Sequence, residues 1–389
     1  MLHNRSKFIA GSFLLLSGTL LAQDPCCPRV ATCCPELIEE CCFCDVCPPS
    51  CEITPKAGPC VKEGIGVYVT ADFTYWSAQE DNLEFAMTSP PASLPAVSSL
   101  TSRKSRVYQI DSHWRPGFKV GLGKDLCFDG WDVYAEYTWF NSTTTRKTST
   151  SLSDQLQLND SYWIINNPQL DLQIPVNIIS PLAVFTLPGS FAKAKWHLAF
   201  NVVDLEFGRN FYISRRVMFR PYLGLKGTWQ TQKMNVSFQG VSTTLASDTL
   251  ISTFNRMRNW GVGILTGMNG AWHVTRNFSV IGNLAFSALW EQFKVRRLDN
   301  QVFFESGFEA SVLNVSHKFH RVRPVIEWML GLRWEDWFNC DTYHYAFDAG
   351  WEIQNWFSQN QFIRVPGSAS SPNGDLMLQG LTIRGRIDF

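Results

Sequence analysis

From Gly64 to the C-terminus, apolar and polar positions alternate with a period of two, in segments separated by polar stretches. Val67, Val69, Ala71, Phe73 and Tyr75 fall on one side of an extended chain, and Tyr68, Thr70, Asp72, Thr74 and Trp76 fall on the other. The pattern returns with Phe118, Val120 and Leu122 against Lys119, Gly121 and Gly123, and with Trp131, Val133, Ala135, Tyr137 and Trp139 against Asp132, Tyr134, Glu136 and Thr138. Further segments run near Trp196–Gly208, Val217–Trp229, Trp260–Trp272, Phe278–Trp290, Val325–Trp334, Tyr343–Phe357 and Leu376–Phe389, which makes ten strands. Near Trp196 the apolar parity moves from Trp196, Leu198, Phe200 and Val202 to Val203, Leu205 and Phe207. That shift predicts a β-bulge near Val202, with Asp204 and Glu206 on the polar face. Glycine recurs on the polar faces at Gly121, Gly224, Gly263, Gly331 and Gly350, where it relieves crowding or permits curvature.

A soluble β-sandwich also alternates, but its loops are short and evenly spaced. Here short links (Asp125–Gly130, Phe211–Arg216, Thr275–Asn277, Asp336–Thr342) alternate with long ones (Gln79–Arg106, Asn141–Lys195, Ser358–Asp375). Short turns at one end and long loops at the other belong to an outer-membrane barrel, whose strand number is even. Trp76, Trp139, Trp229, Trp290, Trp334 and Trp351 stand near strand ends, where aromatic girdles belong. The expectation is an all-β, antiparallel transmembrane barrel of about ten and up to sixteen strands over 64–389. The last strand alternates Leu381, Ile383, Gly385, Ile387 and Phe389 with Thr382, Arg384, Arg386 and Asp388, and it ends on an aromatic residue. It resembles the terminal strand read by the bacterial barrel-assembly machinery, with Phe389 as the assembly signal.

Composition narrows the classes further. The 389 residues carry 34 Lys+Arg against 34 Asp+Glu, so the electrostatic footprint of a nucleic-acid binder is missing. Aromatic residues make up 14% of the chain, which excludes intrinsic disorder over its length. Arg5 and Lys7 precede an apolar run from Phe8 to Leu21, and Ala22 follows, so residues 1–22 read as a secretory signal peptide. Residues 23–63 are rich in Cys and Pro. Ten of the 12 cysteines lie there: Cys26, Cys27, Cys33, Cys34, Cys41, Cys42, Cys44, Cys47, Cys51 and Cys60. The spacing Cys41-x2-Cys44-x2-Cys47-x3-Cys51 matches that of thiolates around an iron–sulfur cluster, and its C-x2-C units also suit zinc. Export favours a third outcome, disulfides within this periplasmic segment or to other envelope proteins. Cys127 and Cys340, in two short links, are candidates for the same cross-linking.

Function is sought on the polar faces, because a barrel hosts many tasks. The expected lumen carries Asp72, Asp132, Glu136, Glu327, Asp348, Glu352 and Asp388 with Lys119, Arg220, Lys226, Arg333, Arg384 and Arg386. Both signs along a water-filled interior set up a transverse field that orients small polar solutes and favours neither ion strongly; alternatively the charges pair across a plugged lumen. Catalytic motifs such as G-x-S-x-G and H-E-x-x-H are absent from the sequence, and Gly117–Lys124 lacks the spacing and the Ser/Thr of a phosphate loop. No enzymatic activity, cofactor or metal is expected.

The stretches Thr70–Ala78, Pro116–Gly123, Trp131–Phe140, Leu198–Arg209, Arg220–Trp229, Gly282–Trp290 and Arg323–Glu335 together resemble the Legionella-type and chlamydial-type major outer membrane proteins. That resemblance implies a porin-like barrel in the outer membrane of a Gram-negative bacterium, with cysteine cross-linking of the envelope in the chlamydial members. The leading expectation is diffusion of ions and small polar solutes. The alternatives are a structural envelope protein in a disulfide network and an adhesin using the long surface loops. Expected partners are outer-membrane lipid, the assembly machinery, Cys-rich envelope proteins and a second copy of the chain.

Overall fold

The computed structural model describes residues 57–59, 61, 64–89, 107–126, 129–149, 155–158, 189–241, 248–303, 307, 309–363 and 373–389. The signal peptide, the cysteines from Cys26 to Cys60 and Cys127 lie outside the described residues. Fourteen strands occur among the described residues: β1 (Val67–Glu80), β2 (Glu84–Ser89), β3 (Val107–Gln109), β4 (Trp114–Asp125), β5 (Trp131–Ser149), β6 (Gln155–Leu158), β7 (Gly189–Arg209), β8 (Phe211–Ser214), β9 (Val217–Val241), β10 (Asp248–His273), β11 (Phe278–Phe303), β12 (Glu309–Phe338), β13 (Tyr343–Asn360) and β14 (Gly374–Asp388). Ten form a closed antiparallel ring in the order β1-β4-β5-β7-β9-β10-β11-β12-β13-β14, with β14 pairing back onto β1. At that seam the Phe389 amide donates to the Val67 carbonyl (2.9 Å) and the Gly66 amide to the Phe389 carbonyl (3.1 Å). The last residue thus completes the ladder begun by the first strand. Strands β2, β3 and β6 pair among themselves at the rim, and β8 pairs with the start of β9.

The expected alternation governs which face each side chain takes. Tyr68, Thr70, Asp72 and Thr74 are buried inside, while Val69, Phe73 and Tyr75 point outward. Residues 210–216, 274–277 and 339–342, and the ends of β4 and β5 at Asp125 and Trp131, lie at the end of the barrel where β1 begins and β14 ends. Outer-membrane barrels keep their short turns in the periplasm, which orients the molecule. The Asn339–Thr342 turn is tight: Asn339, Cys340 and Asp341 all adopt positive φ, at 53°, 56° and 65°.

The outer face is banded. Leu223, Leu225, Val262, Ile264, Leu330 and Leu332 are exposed and apolar. Trp272, Phe278, Trp334 and Phe347 ring the band toward the periplasm, and Trp114, Trp229, Trp260, Trp290 and Trp351 ring it on the opposite side. On β10, Trp260 and Trp272 are separated by roughly 30 Å along the membrane normal, at about 3.3 Å per residue and a tilt near 40°.

Three expectations are corrected. No bulge occurs at Val202: both ladders of β7 run in register there, with Thr138 opposite Val202 and Val202 opposite Thr228. Trp196, Leu198, Phe200, Val202, Asp204 and Glu206 all face inward, because the barrel interior changes from apolar to polar along β7. Trp76 belongs to no girdle; it is 1% exposed and lies inside the barrel. The strands also outrun the alternating segments. β9, β10, β11 and β12 span 25, 26, 26 and 30 residues, more than twice what about 9–11 residues of membrane crossing require, so their walls stand well clear of the bilayer.

Replacing Ile264, which is 64% exposed in the apolar band, by Lys is expected to destabilise the folded barrel by about 2–4 kcal/mol. Urea unfolding in phospholipid vesicles measures this; an unchanged midpoint would place Ile264 off the lipid face.

Candidate functional site

Register converts the period-two pattern into a ladder of charges. Arg333 on β12 stands opposite Asp348 on β13, Asp348 opposite Arg384 on β14, Arg384 opposite Asp72 on β1, and Asp72 opposite Lys119 on β4. Five adjacent strands therefore present alternating signs in one row, the favourable arrangement for cross-strand neighbours. Arg333 donates two hydrogen bonds to Asp348, both at 2.8 Å, and Arg384 grips Asp72 at 2.7 Å. On the facing wall, Arg220 of β9 binds Asp132 of β5 at 2.9 Å and Glu206 of β7 at 2.6 Å.

Other pairs reach across the interior. Lys119 donates to Glu352 of β13 at 2.7 Å, and Arg384 of β14 also pairs with Glu136 of β5. Lys226 holds its neighbour Asp204 at 2.8 Å and Glu327, three strands away in the ring, at 2.7 Å. Arg386 pairs with Asp388 at 2.6 Å and stacks over the Tyr68 ring. Tyr68 and Tyr134 stack on each other across β4, where Gly121 and Gly123 leave them room. A Cβ at Gly123 would overlap the Tyr68 ring. The space enclosed by these groups amounts to about 140 Å³, and a second cavity of about 250 Å³ lies at the periplasmic mouth against Ala57, Val61, Gly64 and Phe389.

Toward the cell surface the interior becomes apolar. Trp76, Phe140, Trp196, Phe200, Phe238, Phe293 and Trp356 are buried together, joined by Leu83, Phe85, Ile110 and Phe362 from the surface links. β7 and β13 lie diametrically opposite in the ring, yet the rings of Phe200 and Trp356 meet edge to face at 5.2 Å. Close by, Gln359 of β13 donates to Gln230 of β9 at 3.0 Å. The lumen is crossed at this level.

All the lumen residues expected from sequence point inward and join this network: Asp72, Lys119, Asp132, Glu136, Arg220, Lys226, Glu327, Arg333, Asp348, Glu352, Arg384, Arg386 and Asp388. Sequence reasoning did not count Asp204 and Glu206 among them. Their place on the polar face of the expected strand already implied a position in the lumen. They bring the seven expected carboxylates to nine against six cations in the polar half, and buried Glu335 adds a tenth. The apolar crossing was missed because Phe200 was assigned to an apolar face that a bulge then reversed, and Trp356 was not singled out within its strand. Cys340 lies in the Asn339–Thr342 turn at the periplasmic end, as expected.

The family described as Legionella pneumophila major outer membrane protein precursor matches residues 58–389. A search of curated proteins finds no match. Among solved structures, the Escherichia coli outer membrane protease OmpT is similar at 10% identity and TM-score 0.34, with 83% of this chain and 96% of that chain covered. The Pseudomonas putida toluene transporter TodX is similar at 8% identity and TM-score 0.26, with 83% and 90% covered. A Pseudomonas aeruginosa FadL homologue follows at 6% and 0.22, with 83% and 89% covered. These likenesses are too distant to bear on activity.

Replacing Lys226, 1% exposed, by Met is expected to cost about 3–5 kcal/mol, because Asp204 and Glu327 both lose their cation inside the barrel. Denaturant titration measures it; a change within the range of a surface pair would show that these carboxylates are solvated.

Proposed function

The chain belongs to the Legionella major outer membrane protein family, and from this outer-membrane barrel we propose a narrow, gated channel for ions and small polar solutes that prefers cations. The observation that carries the reading is the excess of carboxylates around the two cavities of the periplasmic half. Rings of acidic side chains lower the free energy of a passing cation, and a narrow bore strengthens the effect by limiting the water that screens it. The sequence alone suggested near balance of charge; Asp204 and Glu206 tip it.

The bore is far smaller than that of a general diffusion pore. Interiors of about eight-stranded barrels are filled by side chains, whereas 16–18 strands leave an aqueous channel. Ten strands stand near the first case. The Phe200–Trp356 contact then acts as the gate, since an apolar constriction excludes water until its walls part. Leu83, Phe85, Ile110 and Phe362 pack against it from surface links, the parts of a barrel freest to move, and so couple gate opening to the cell surface.

A second reading, a structural barrel fixed in a disulfide-linked envelope, is favoured by the same aromatic contact taken as permanent and by the periplasmic position of Cys340. We read the protein as a channel that takes no cofactor and carries out no catalysis.

Planar-bilayer recording separates the two readings. The channel is expected to show small unit conductance and a reversal potential displaced toward the cation equilibrium. Glu136→Gln combined with Asp204→Asn should move that potential toward anions, and Trp356→Ala should raise unit conductance. Silence from both the native chain and Trp356→Ala, each folded by heat-modified electrophoretic mobility, would leave the structural reading in its place.

A further inference from the structure

The outer wall carries a basic patch that the lumen does not explain. On β10, Arg258 and Arg256 follow Trp260 outward from the apolar band at alternate positions. In register beside them are Lys233 on β9, Lys294 and Arg296 on β11, and Lys318 on β12. All six side chains are exposed and point away from the barrel. None of them takes part in an ion pair among the described residues. The other outward positions in this block are Trp229, Thr231, Asn235, Phe254, Trp260, Gln292, Leu298, Asn314, Ser316 and His320, so no carboxylate among the described residues neutralises it.

The arrangement is costly for the isolated protein. Lys233 stands directly opposite Arg256, Arg256 opposite Arg296, Arg258 opposite Lys294, and Lys294 opposite Lys318. Like charges at opposed positions of a sheet repel at about 5 Å between their backbones. Four such oppositions in one block call for a multivalent anion lying over the sheet.

Depth identifies the anion. Trp229 and Trp260 are paired in the ladder, and Trp260 packs against Trp290, so this aromatic row marks the outer edge of the apolar band. Arg258 lies two residues beyond it and Arg256 four, roughly 5 and 10 Å farther along the membrane normal. That is the layer of lipid headgroups. Acyl chains against Val262 and Ile264, a sugar backbone at the tryptophan row and phosphates among the cations would occupy one continuous strip of wall. Guanidinium groups bind phosphate in a two-pronged fashion and lysines add point charges.

We propose that the outer face of β9–β12 is a binding site for a phosphorylated glycolipid of the outer leaflet, held by Arg256, Arg258, Lys294 and Lys318 above the Trp229–Trp260–Trp290 row. Such a lipid would tie the tall wall of the barrel to its membrane and neutralise the charge repulsion within the sheet.

The test uses the full-length folded protein in neutral detergent, titrated with diphosphoryl lipid A, with its dephosphorylated form and with inorganic pyrophosphate, and followed by native mass spectrometry. Diphosphoryl lipid A is expected to bind at least about tenfold more tightly than the dephosphorylated lipid, as loss of two or more charge-assisted contacts implies. Arg256→Gln/Arg258→Gln/Lys294→Gln should abolish that preference, and Lys294→Gln alone, which removes the cation flanked on both sides, should reduce it. Lys124→Gln, at the periplasmic end of β4, should leave it intact. Equal affinity for the two lipids, or an unchanged preference in either folded Gln variant, overturns the proposal. Pyrophosphate binding as tight as diphosphoryl lipid A would overturn the assignment to a lipid.

Discussion

Every backbone amide and carbonyl that crosses a lipid bilayer must find its partner inside the protein, because hydrocarbon offers none. A sheet satisfies that demand only by closing on itself. Here the closing ladder joins β14 to β1, and the last residue of the chain bonds to the stretch that enters the first strand. Closure with ten strands then sets the width of the interior, and the width decides how every inward side chain behaves. Residues on opposite walls can touch. Phe200 reaches Trp356 across the diameter, and Gln359 reaches Gln230.

The same narrowness governs the charges. In a wide pore, Lys226 and Glu327 would face separate columns of water; here they meet at 2.7 Å. Most lumen cations hold two carboxylates at once, as Lys119, Arg220, Lys226 and Arg384 do. Each pair stiffens the wall and also lines the path that an ion would take. In the proposed channel, structural and conductive roles would therefore rest on the same side chains.

Inner and outer faces follow separate logics on shared strands. On β10, Asn259 donates to Glu291 inside the barrel while Arg258 and Trp260, its neighbours in sequence, face the membrane boundary. A change on one face need not disturb the other, because the side-chain period of a strand directs adjacent residues oppositely. The wall beyond the bilayer extends this division, with an apolar cluster inside and unpaired cations outside.

Alternation alone was enough to establish a membrane barrel of about ten strands, the lipid-facing side of each, the lumen position of Asp72, Lys119, Glu136 and Arg384, and the end that holds the short turns. Those properties depend on the period of a strand and the spacing of turns, which are local. Alternation misled where the interior itself changes character. Apolar residues at Trp196–Val202 suggested a bulge, since a polar lumen along the whole barrel was assumed, and Trp76 resembled a girdle residue for the same reason. Which pairs meet across the lumen, that Phe200 and Trp356 close it, and that six cations from four strands converge on one patch were decided only by register and ring closure. These bring together residues tens to hundreds of positions apart, and no local pattern encodes the distance between opposite walls.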